Sequence, residues 1–218
     1  MHSTPPDNQA TERATTRLSI IDRLHASKLP LILCIIVLLI QLGGDTASQW
    51  LRYDRDGILN GEVWRIITGH LVHLGWPHLL MNIIGLLLIW LLFGHLIKRN
   101  SWFLILTANT ILTSAGMLLF NPELKWYVGL SGVLHGMFVA GAVISIKAGY
   151  RAELLLLVLL TAKLAWEQVV GPLPGSAEFA GGNVIVDAHL YGAISGLIIA
   201  GVLIALATHN KKSNTAGD

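Results

Sequence analysis

Apolar residues along the chain fall into six long segments that are separated by polar stretches. The segments lie at roughly 29–46, 78–97, 101–120, 130–147, 152–170 and 188–207. Most of them approach the ~20 residues that an α-helix needs to cross the hydrocarbon core of a bilayer. The pattern therefore predicts an all-α polytopic membrane protein with six transmembrane helices, whose membrane domain covers residues 29–207.

The first apolar segment admits two interpretations. Its uninterrupted core runs only from Leu29 to Leu42, which is also typical of a signal-peptide core with Ala47 near a cleavage point. A retained helix is favoured because the polar stretch before it is long for the start of a signal peptide. Residues 1–28 are predicted to be a polar N-terminal tail, with an interfacial helix as one option, and residues 208–218 a C-terminal tail.

The composition agrees with a membrane protein. Of the 218 residues, 53% are hydrophobic and only 13% are charged, whereas soluble domains carry about 25% charged residues. The single cysteine, Cys34, excludes an internal disulfide. A formal net charge of +2 does not indicate a nucleic-acid partner, so the lipid bilayer is the expected surrounding.

The basic residues predict the orientation of the six helices. Ten of the 15 Lys and Arg residues lie in segments that would share one side of the membrane. Cytoplasmic loops are enriched in these residues, so both termini are predicted to be cytoplasmic and the loop of roughly 47–77 to face outward. The ten are Arg13, Arg17, Arg23, Lys28, Lys98, Arg99, Lys147, Arg151, Lys211 and Lys212.

In this topology the even-numbered helices begin at the outer face. His78 and Asn82 begin the second helix, Ser131 the fourth and His189 the sixth, so all four lie in the same leaflet. Polar side chains in lipid are costly and are therefore candidates for function. Their shared depth indicates one site near the outer surface.

Ser131 and His189 are the candidates for covalent chemistry. A serine hydroxyl is a poor nucleophile until a base accepts its proton, and histidine is the usual base. The two helices can approach closely if small residues line their contact. Each helix carries two glycines four residues apart, at Gly132 and Gly136 and at Gly192 and Gly196.

Peptide hydrolysis also requires hydrogen-bond donors for the oxyanion. His78 and Asn82 are four residues apart and share a helix face, and the backbone N–H of Ser131 is a third candidate donor. No acidic residue is obviously placed to orient His189, since Asp187 is two residues away and would point elsewhere. We therefore expect a Ser–His dyad that requires no acid.

A zinc site at His70, His73 and His78 is the alternative chemistry. Clustered histidines are typical zinc ligands. The sequence contains no His-Glu-x-x-His pattern and no evident acidic ligand near these residues. We therefore expect neither a metal nor an organic cofactor.

Lys163 and Glu167 form a charged pair, four residues apart, near the outer end of the fifth apolar segment. Intramembrane charges are costly unless they are paired or hydrated. Two interpretations stay open at this point. The pair either shapes a gate through which a substrate enters, or both side chains extend to the interface and stabilise the helix end.

Taken together, these residues resemble the rhomboid family of intramembrane serine proteases over roughly residues 60–207. The resemblance rests on Trp64-Arg65, on the His-x4-His-x3-Asn pattern of His73, His78 and Asn82, on Gly129-Leu130-Ser131-Gly132, and on Ala188-His189 followed by Gly192 and Gly196. It implies a six-helix bundle with an outer L1 loop, Ser131 as nucleophile, His189 as base, and His78 and Asn82 as oxyanion ligands. Supporting roles are implied for Gly129, Gly132, Gly192, Gly196, Trp64, Arg65 and His73.

One position departs from the pattern of many rhomboids, which carry an aromatic residue one turn after the nucleophile. Here that position is His135, which would either orient His189 or compete with it as base. The run from Gly129 to Gly136 is similar to the rhombosortase branch. That similarity implies a substrate with a C-terminal Gly-Gly motif, a hydrophobic helix and a basic tail, cleaved near the periplasmic face of a bacterial inner membrane.

Three other functions remain as alternatives. The chain would be a rhomboid protease with other substrates, a catalytically inactive rhomboid-like protein that binds membrane helices, or a small transporter. Inactive relatives usually lose the serine or the histidine, and transporters commonly show internal repeats. This sequence keeps both residues and shows no convincing repeat.

Overall fold

The computed structural model describes residues 28–215, with side chains for residues 28–210. The predicted interfacial helix within residues 1–28 lies outside the described residues. The predicted C-terminal tail at residues 208–218 begins as a helix, because the final helix continues to Thr215 without a glycine or proline to end it.

The described chain is mostly helical, as predicted. Its elements are α1 (Leu29–Leu42), α2 (Gly44–Leu51), β1 (Tyr53–Asp54), α3 (Arg55–Leu59), α4 (Arg65–Thr68), a 3-10 turn (Gly69–Leu71), α5 (Trp76–Phe93), α6 (Arg99–Phe120), β2 (Trp126–Tyr127), α7 (Ser131–Lys147), α8 (Glu153–Val169), α9 (Ser176–Ala180) and α10 (Val186–Thr215). Each of the six apolar segments therefore contains a helix.

Helix length separates these six helices into two groups. Within the described residues, α5, α6 and residues 186–210 of α10 are long and apolar enough to cross a membrane, and the pair α1 and α2 adds a fourth span if it is counted as one. Helices α7 and α8 have 17 residues each, or roughly 25 Å at ~1.5 Å per residue. The crossing of the membrane by all six helices therefore stays a prediction.

The first apolar segment is bent rather than straight, which corrects the expectation of one helix over 29–46. Helix α1 ends at Leu42, and α2 leaves it at an angle of 114°. Gly44 has a φ of +58°, in the left-handed region that side chains with a Cβ rarely adopt. The two glycines at positions 43 and 44 thus allow the chain to turn sharply here.

Helix α7 lies at the centre of the bundle and packs against α5, α6, α8 and α10. Its contact with α10 is the most extensive contact between two elements of the described chain. A methyl group at Gly192 would overlap the carbonyl oxygen of Gly132, and one at Gly196 would overlap that of Gly136. The glycines predicted to bring two helices together therefore lie directly in the α7–α10 contact.

The segment between α1 and α5 is held to the bundle by backbone hydrogen bonds. Strand β1 pairs antiparallel with β2, with Tyr53 opposite Tyr127. The buried guanidinium of Arg65 donates to the carbonyl oxygens of Gln49, at 2.9 Å, and Arg52, at 3.0 Å. Arg65 therefore holds this loop together through its hydrogen bonds to two backbone carbonyl groups.

We expect Gly196→Ala to reduce the thermal stability of the protein in detergent. The added methyl group would overlap backbone of α7 rather than a flexible side chain, and overpacking of this kind costs about 1–3 kcal/mol. Gly201→Ala on the same helix is the matched control, because a Cβ there meets no atom within 4 Å. Equal melting temperatures for the two variants would contradict the role assigned to the glycine contact.

Candidate active site

Ser131 and His189 meet where the first turns of α7 and α10 touch. Ser131 is the first residue of α7, and His189 lies in the first turn of α10. The Oγ atom of Ser131 lies 3.0 Å from Nε2 of His189, within hydrogen-bond distance. The structure thus brings together the hydroxyl and the imidazole that the sequence placed at the starts of two separate helices.

The turn that leads into α7 depends on Gly129. Its φ of +123° favours glycine, and a Cβ at this position would lie 2.7 Å from Cε1 of His78. The hydroxyl of Tyr127 donates to the Gly129 carbonyl oxygen at 2.7 Å. Burial raises the pKa of Tyr127 to about 12, so the phenol remains a donor at neutral pH. Sequence reasoning missed Tyr127, which no motif singles out.

An acidic residue does lie against the imidazole of His189, so the expectation that no Asp or Glu is placed beside this ring is wrong. Oε2 of Glu167, on α8, lies 3.0 Å from Nδ1 of His189, and the Glu167 side chain is buried. Asp187 instead accepts from Nδ2 of Asn121, at 2.5 Å. No sequence pattern indicates the contact, because Glu167 precedes His189 by 22 residues and only helix packing places it there.

Lys163 lies one turn before Glu167 on α8 and contacts three side chains of the site. Its Nζ atom is 2.7 Å from Nε2 of His135, 2.9 Å from Oε2 of Glu167 and 3.2 Å from Nδ1 of His189. The interpretation in which both charges extend to the interface is therefore wrong. Both side chains line the cavity described below, as a gate would require, but their charged atoms are held by the two histidines.

His135 stacks on the proposed base. The two rings lie 4.2 Å apart between centroids, with 13° between their planes. Nδ1 of His135 lies 2.7 Å from the carbonyl oxygen of Ser131, one turn earlier. This nitrogen must carry the proton, because a carbonyl oxygen only accepts. His135 therefore takes the place of the stacked aromatic residue, and it contacts the backbone of Ser131 rather than its hydroxyl.

His78 and Asn82 lie on α5 and line the same cavity as Ser131. Nδ1 of His78 accepts from the backbone N–H of Leu74 at 3.4 Å, so a neutral His78 carries its proton on Nε2. The Asn82 amide donates one hydrogen to the His78 carbonyl oxygen at 2.9 Å, and its second hydrogen is available. Each of these side chains therefore has a donor to offer.

The cavity beside Ser131 has a volume of about 510 Å³. Residues of α5, α7 and α8 form its mostly apolar wall, among them Met81, Leu92, Phe138 and Leu160. The polar residues of the site line the same cavity: His78, Asn82, Ser131, His135, Lys163, Glu167 and His189. A cavity of this kind has room for an apolar chain beside a hydroxyl, an imidazole and two N–H donors.

The predicted supporting residues fall into two groups. Gly129, Gly132, Gly192 and Gly196 lie at the turn and helix contact already described. His73 is buried, and its ring makes a T-shaped contact with that of His78, 5.1 Å between centroids. Trp64 and Arg65 make their hydrogen bonds within the loop that precedes α5. Their hydrogen bonds are therefore made within the loop and not with Ser131 or His189.

His70, His73 and His78 do not form a shared ligand group in the described residues, as the zinc hypothesis would require. Nε2 of His70 instead lies 2.8 Å from the hydroxyl of Ser114. Within the described residues, the side chains that could jointly ligate a metal are His135, Glu167 and His189, whose ligand atoms lie within 4.8 Å of one another. The Lys163 ammonium is within hydrogen-bond distance of all three, and so competes with any bound cation.

Comparison with known proteins gives the family. The Rhomboid domain model matches residues 60–206. The chain is 27% identical to YdcA of Bacillus subtilis, whose name describes a rhomboid protease, over 66% of this chain and 69% of YdcA. It is 27% identical to the rhomboid protease GlpG of Serratia proteamaculans, over 77% of this chain and 59% of that protein. For GlpG of Yersinia enterocolitica the identity is 29%, over 84% and 66%. The chain thus spans less than two thirds of either GlpG.

We expect acid to destabilise the fold through His70. Its burial lowers its pKa from 6.5 to about 4, so the folded state excludes a proton that the unfolded chain binds below pH 6.5. The stability from the neutral ring is complete above that pH and is lost as the pH falls through the folded pKa. The loss between pH 7 and pH 5 amounts to about 2 kcal/mol.

Melting temperature against pH in detergent measures this loss, with His70→Gln as the comparison. Glutamine can still hydrogen-bond Ser114 but does not titrate, so the variant should lose less stability than the wild-type protein from pH 7 to pH 5. Parallel curves for the two proteins would exclude His70 as a source of acid sensitivity.

Proposed function

The chain belongs to the rhomboid family, and we propose that it is an intramembrane serine protease in which Ser131 is the nucleophile and His189 the general base. The observation that carries the proposal is the 3.0 Å contact between Ser131 Oγ and His189 Nε2. This contact lies beside an apolar cavity in a protein with membrane-capable helices. A nucleophile within hydrogen-bond distance of its base is the arrangement that acyl transfer requires.

In the proposed reaction, Ser131 Oγ attacks the scissile carbonyl carbon while His189 Nε2 accepts the hydroxyl proton. The electron pair of the carbonyl bond moves to the oxygen. His189 then donates the proton to the leaving amine as the C–N bond breaks, and an acyl-enzyme remains on Ser131. Water, deprotonated by the same imidazole, hydrolyses this ester and restores the hydroxyl.

The oxyanion of this reaction would be held by His78 and Asn82. The proton on His78 Nε2 and the second Asn82 amide hydrogen are both available for donation, and both side chains share the cavity with Ser131. Preorganised donors stabilise the charge that develops on the carbonyl oxygen. Gly129 keeps the approach to His78 open, because any larger residue would contact that ring.

The proposed substrate is a single-span membrane protein. The cavity lies against α7, between residues of α5 and α8, and its lining is mostly apolar, which suits a hydrophobic segment that enters sideways from the bilayer. Such a segment must unwind locally, because the hydrogen bonds of a helix shield its peptide groups. No metal or organic cofactor is needed for this chemistry.

We further infer the topology and the substrate branch. The distribution of Lys and Arg supports six spans, cytoplasmic termini and a site that opens to the periplasm of a bacterial inner membrane. The run from Gly129 to Gly136, with His135 in the place of the aromatic residue, supports the rhombosortase branch over a rhomboid protease with other substrates. The substrate would then carry a C-terminal Gly-Gly motif followed by a hydrophobic helix and a basic tail.

Fluorophosphonate labelling in detergent tests the proposed nucleophile. The wild-type protein should be labelled, Ser131→Ala should not be labelled, and His189→Ala should react about 10²- to 10⁴-fold more slowly because it lacks the base. Ser145→Ala is the matched control, since Ser145 lies on the same helix and donates to the Gly141 carbonyl oxygen, away from the cavity. Labelling that persists in Ser131→Ala, or an unlabelled wild-type protein, would contradict the protease assignment.

Coexpression with a reporter tests the substrate branch. The reporter carries a Gly-Gly motif, a single hydrophobic helix and a basic tail at its C-terminus. We expect cleavage by the wild-type protein but not by Ser131→Ala, and a loss of at least about 10-fold when Gly-Gly is replaced by Leu-Leu. Equal cleavage of both reporters would favour a rhomboid protease with other substrates.

A further inference from the structure

Two charged groups of opposite sign compete for the same nitrogen of His189. Nδ1 lies 3.0 Å from Oε2 of Glu167 and 3.2 Å from Nζ of Lys163. A carboxylate only accepts hydrogen bonds, whereas an ammonium only donates them. The two neighbours therefore demand opposite protonation of Nδ1, and the identity of its partner decides where the proton of the neutral imidazole lies.

The choice matters because it fixes the state of Nε2, which faces Ser131. If Nδ1 donates to Glu167, Nε2 has a free electron pair and can accept the proton of Ser131. If Nδ1 accepts from Lys163, Nε2 carries the proton and His189 cannot act as the base. One of the two tautomers is therefore productive and the other is not.

The contacts of Lys163 favour the productive tautomer. Its two shorter contacts go to Nε2 of His135, at 2.7 Å, and to Oε2 of Glu167, at 2.9 Å. His135 is prepared to accept, because its own proton is on Nδ1 and points at the Ser131 carbonyl oxygen. The ammonium is thus held by two acceptors, while its contact with His189 is the longest of the three.

We propose that Glu167 is a positioning residue that holds His189 in the productive tautomer, and that Lys163, anchored by His135, keeps the Glu167 carboxylate in place. The proposal rests on the proposed function of Ser131 and His189 and adds a third group to it. As Ser131 Oγ bonds the carbonyl carbon, its proton moves to His189 Nε2. The imidazolium keeps its Nδ1 proton, and Glu167 keeps its negative charge. The Nε2 proton then leaves with the amine.

The same arrangement explains why a charged pair is retained inside an apolar helix. A buried ion pair alone adds little stability, because desolvation offsets the attraction between the charges. Glu167 has a second partner in His189, and Lys163 has a second partner in His135, so the pair links three helices at the site. A pair that only stabilised α8 would not require either histidine.

Glu167→Gln tests the proposal, with the maximal labelling rate of Ser131 by a fluorophosphonate as the main readout. We expect this rate to fall about 10²- to 10⁴-fold, while the probe concentration at half-maximal rate changes less than about threefold. Glu167→Asp should recover part of the rate, because it restores the carboxylate. Glu153→Gln, on the same helix, is the matched control and should label like the wild-type protein.

The tautomer itself provides a readout that a purely structural role would not change. In protein with ¹⁵N-labelled histidine, the His189 resonance, identified by its loss in His189→Gln, should show a proton on Nδ1. In Glu167→Gln this proton should shift toward Nε2, and melting temperature establishes that the variant is folded.

Wild-type labelling speed in folded Glu167→Gln, or a proton on Nε2 of His189 in the wild-type protein, would overturn the inference. The first result would leave the proposed function intact, because that function depends on the labelling of the wild-type protein and its loss in Ser131→Ala. The second result would also remove His189 as the base, but not Ser131 as the nucleophile. An unlabelled wild-type protein would instead contradict both the proposed function and the role inferred for Glu167.

Discussion

The close contact between α7 and α10 sets the positions of the other helices and polar groups around the site. Gly192 and Gly196 lie against the backbone carbonyl oxygens of Gly132 and Gly136, so the two helices approach without intervening side chains. A lipid environment gives apolar helices no hydrophobic reason to associate, and small residues that allow close packing supply much of the attraction. This contact sets the distance between the first turns of the helices, and hence between a hydroxyl and an imidazole.

Around that contact the polar groups form a closed ring of hydrogen bonds. It runs from the Ser131 hydroxyl to His189, then to Glu167, Lys163 and His135, and returns to the Ser131 carbonyl oxygen. Polar atoms removed from water must find partners within the protein. The ring satisfies that requirement with residues from three helices, and it joins the groups proposed to react to those proposed to orient them.

Much of this arrangement can be predicted from the sequence without knowledge of how the helices pack. The six apolar segments predict the positions of the main helices, since lipid or core burial imposes long apolar runs. The proposed reacting pair stands out because a serine and a histidine at the starts of such runs are costly in lipid, which makes them candidates for function. The contact of Glu167 with His189 cannot be predicted in this way. The spacing of four residues between Lys163 and Glu167 predicts an ion pair within one helix. That spacing says nothing about which side chains a neighbouring helix brings close.

The class of protein, the main helices and the candidate nucleophile and base follow from the chain alone, because periodicity and the cost of burying polar groups act locally. Helix packing instead fixes which acid faces His189, which partners His135 and Lys163 contact, and where the first helix bends. Those features depend on how helices far apart in the chain are rotated and packed against one another. The glycines that permit the central contact are visible in the sequence, but their partners are chosen in three dimensions.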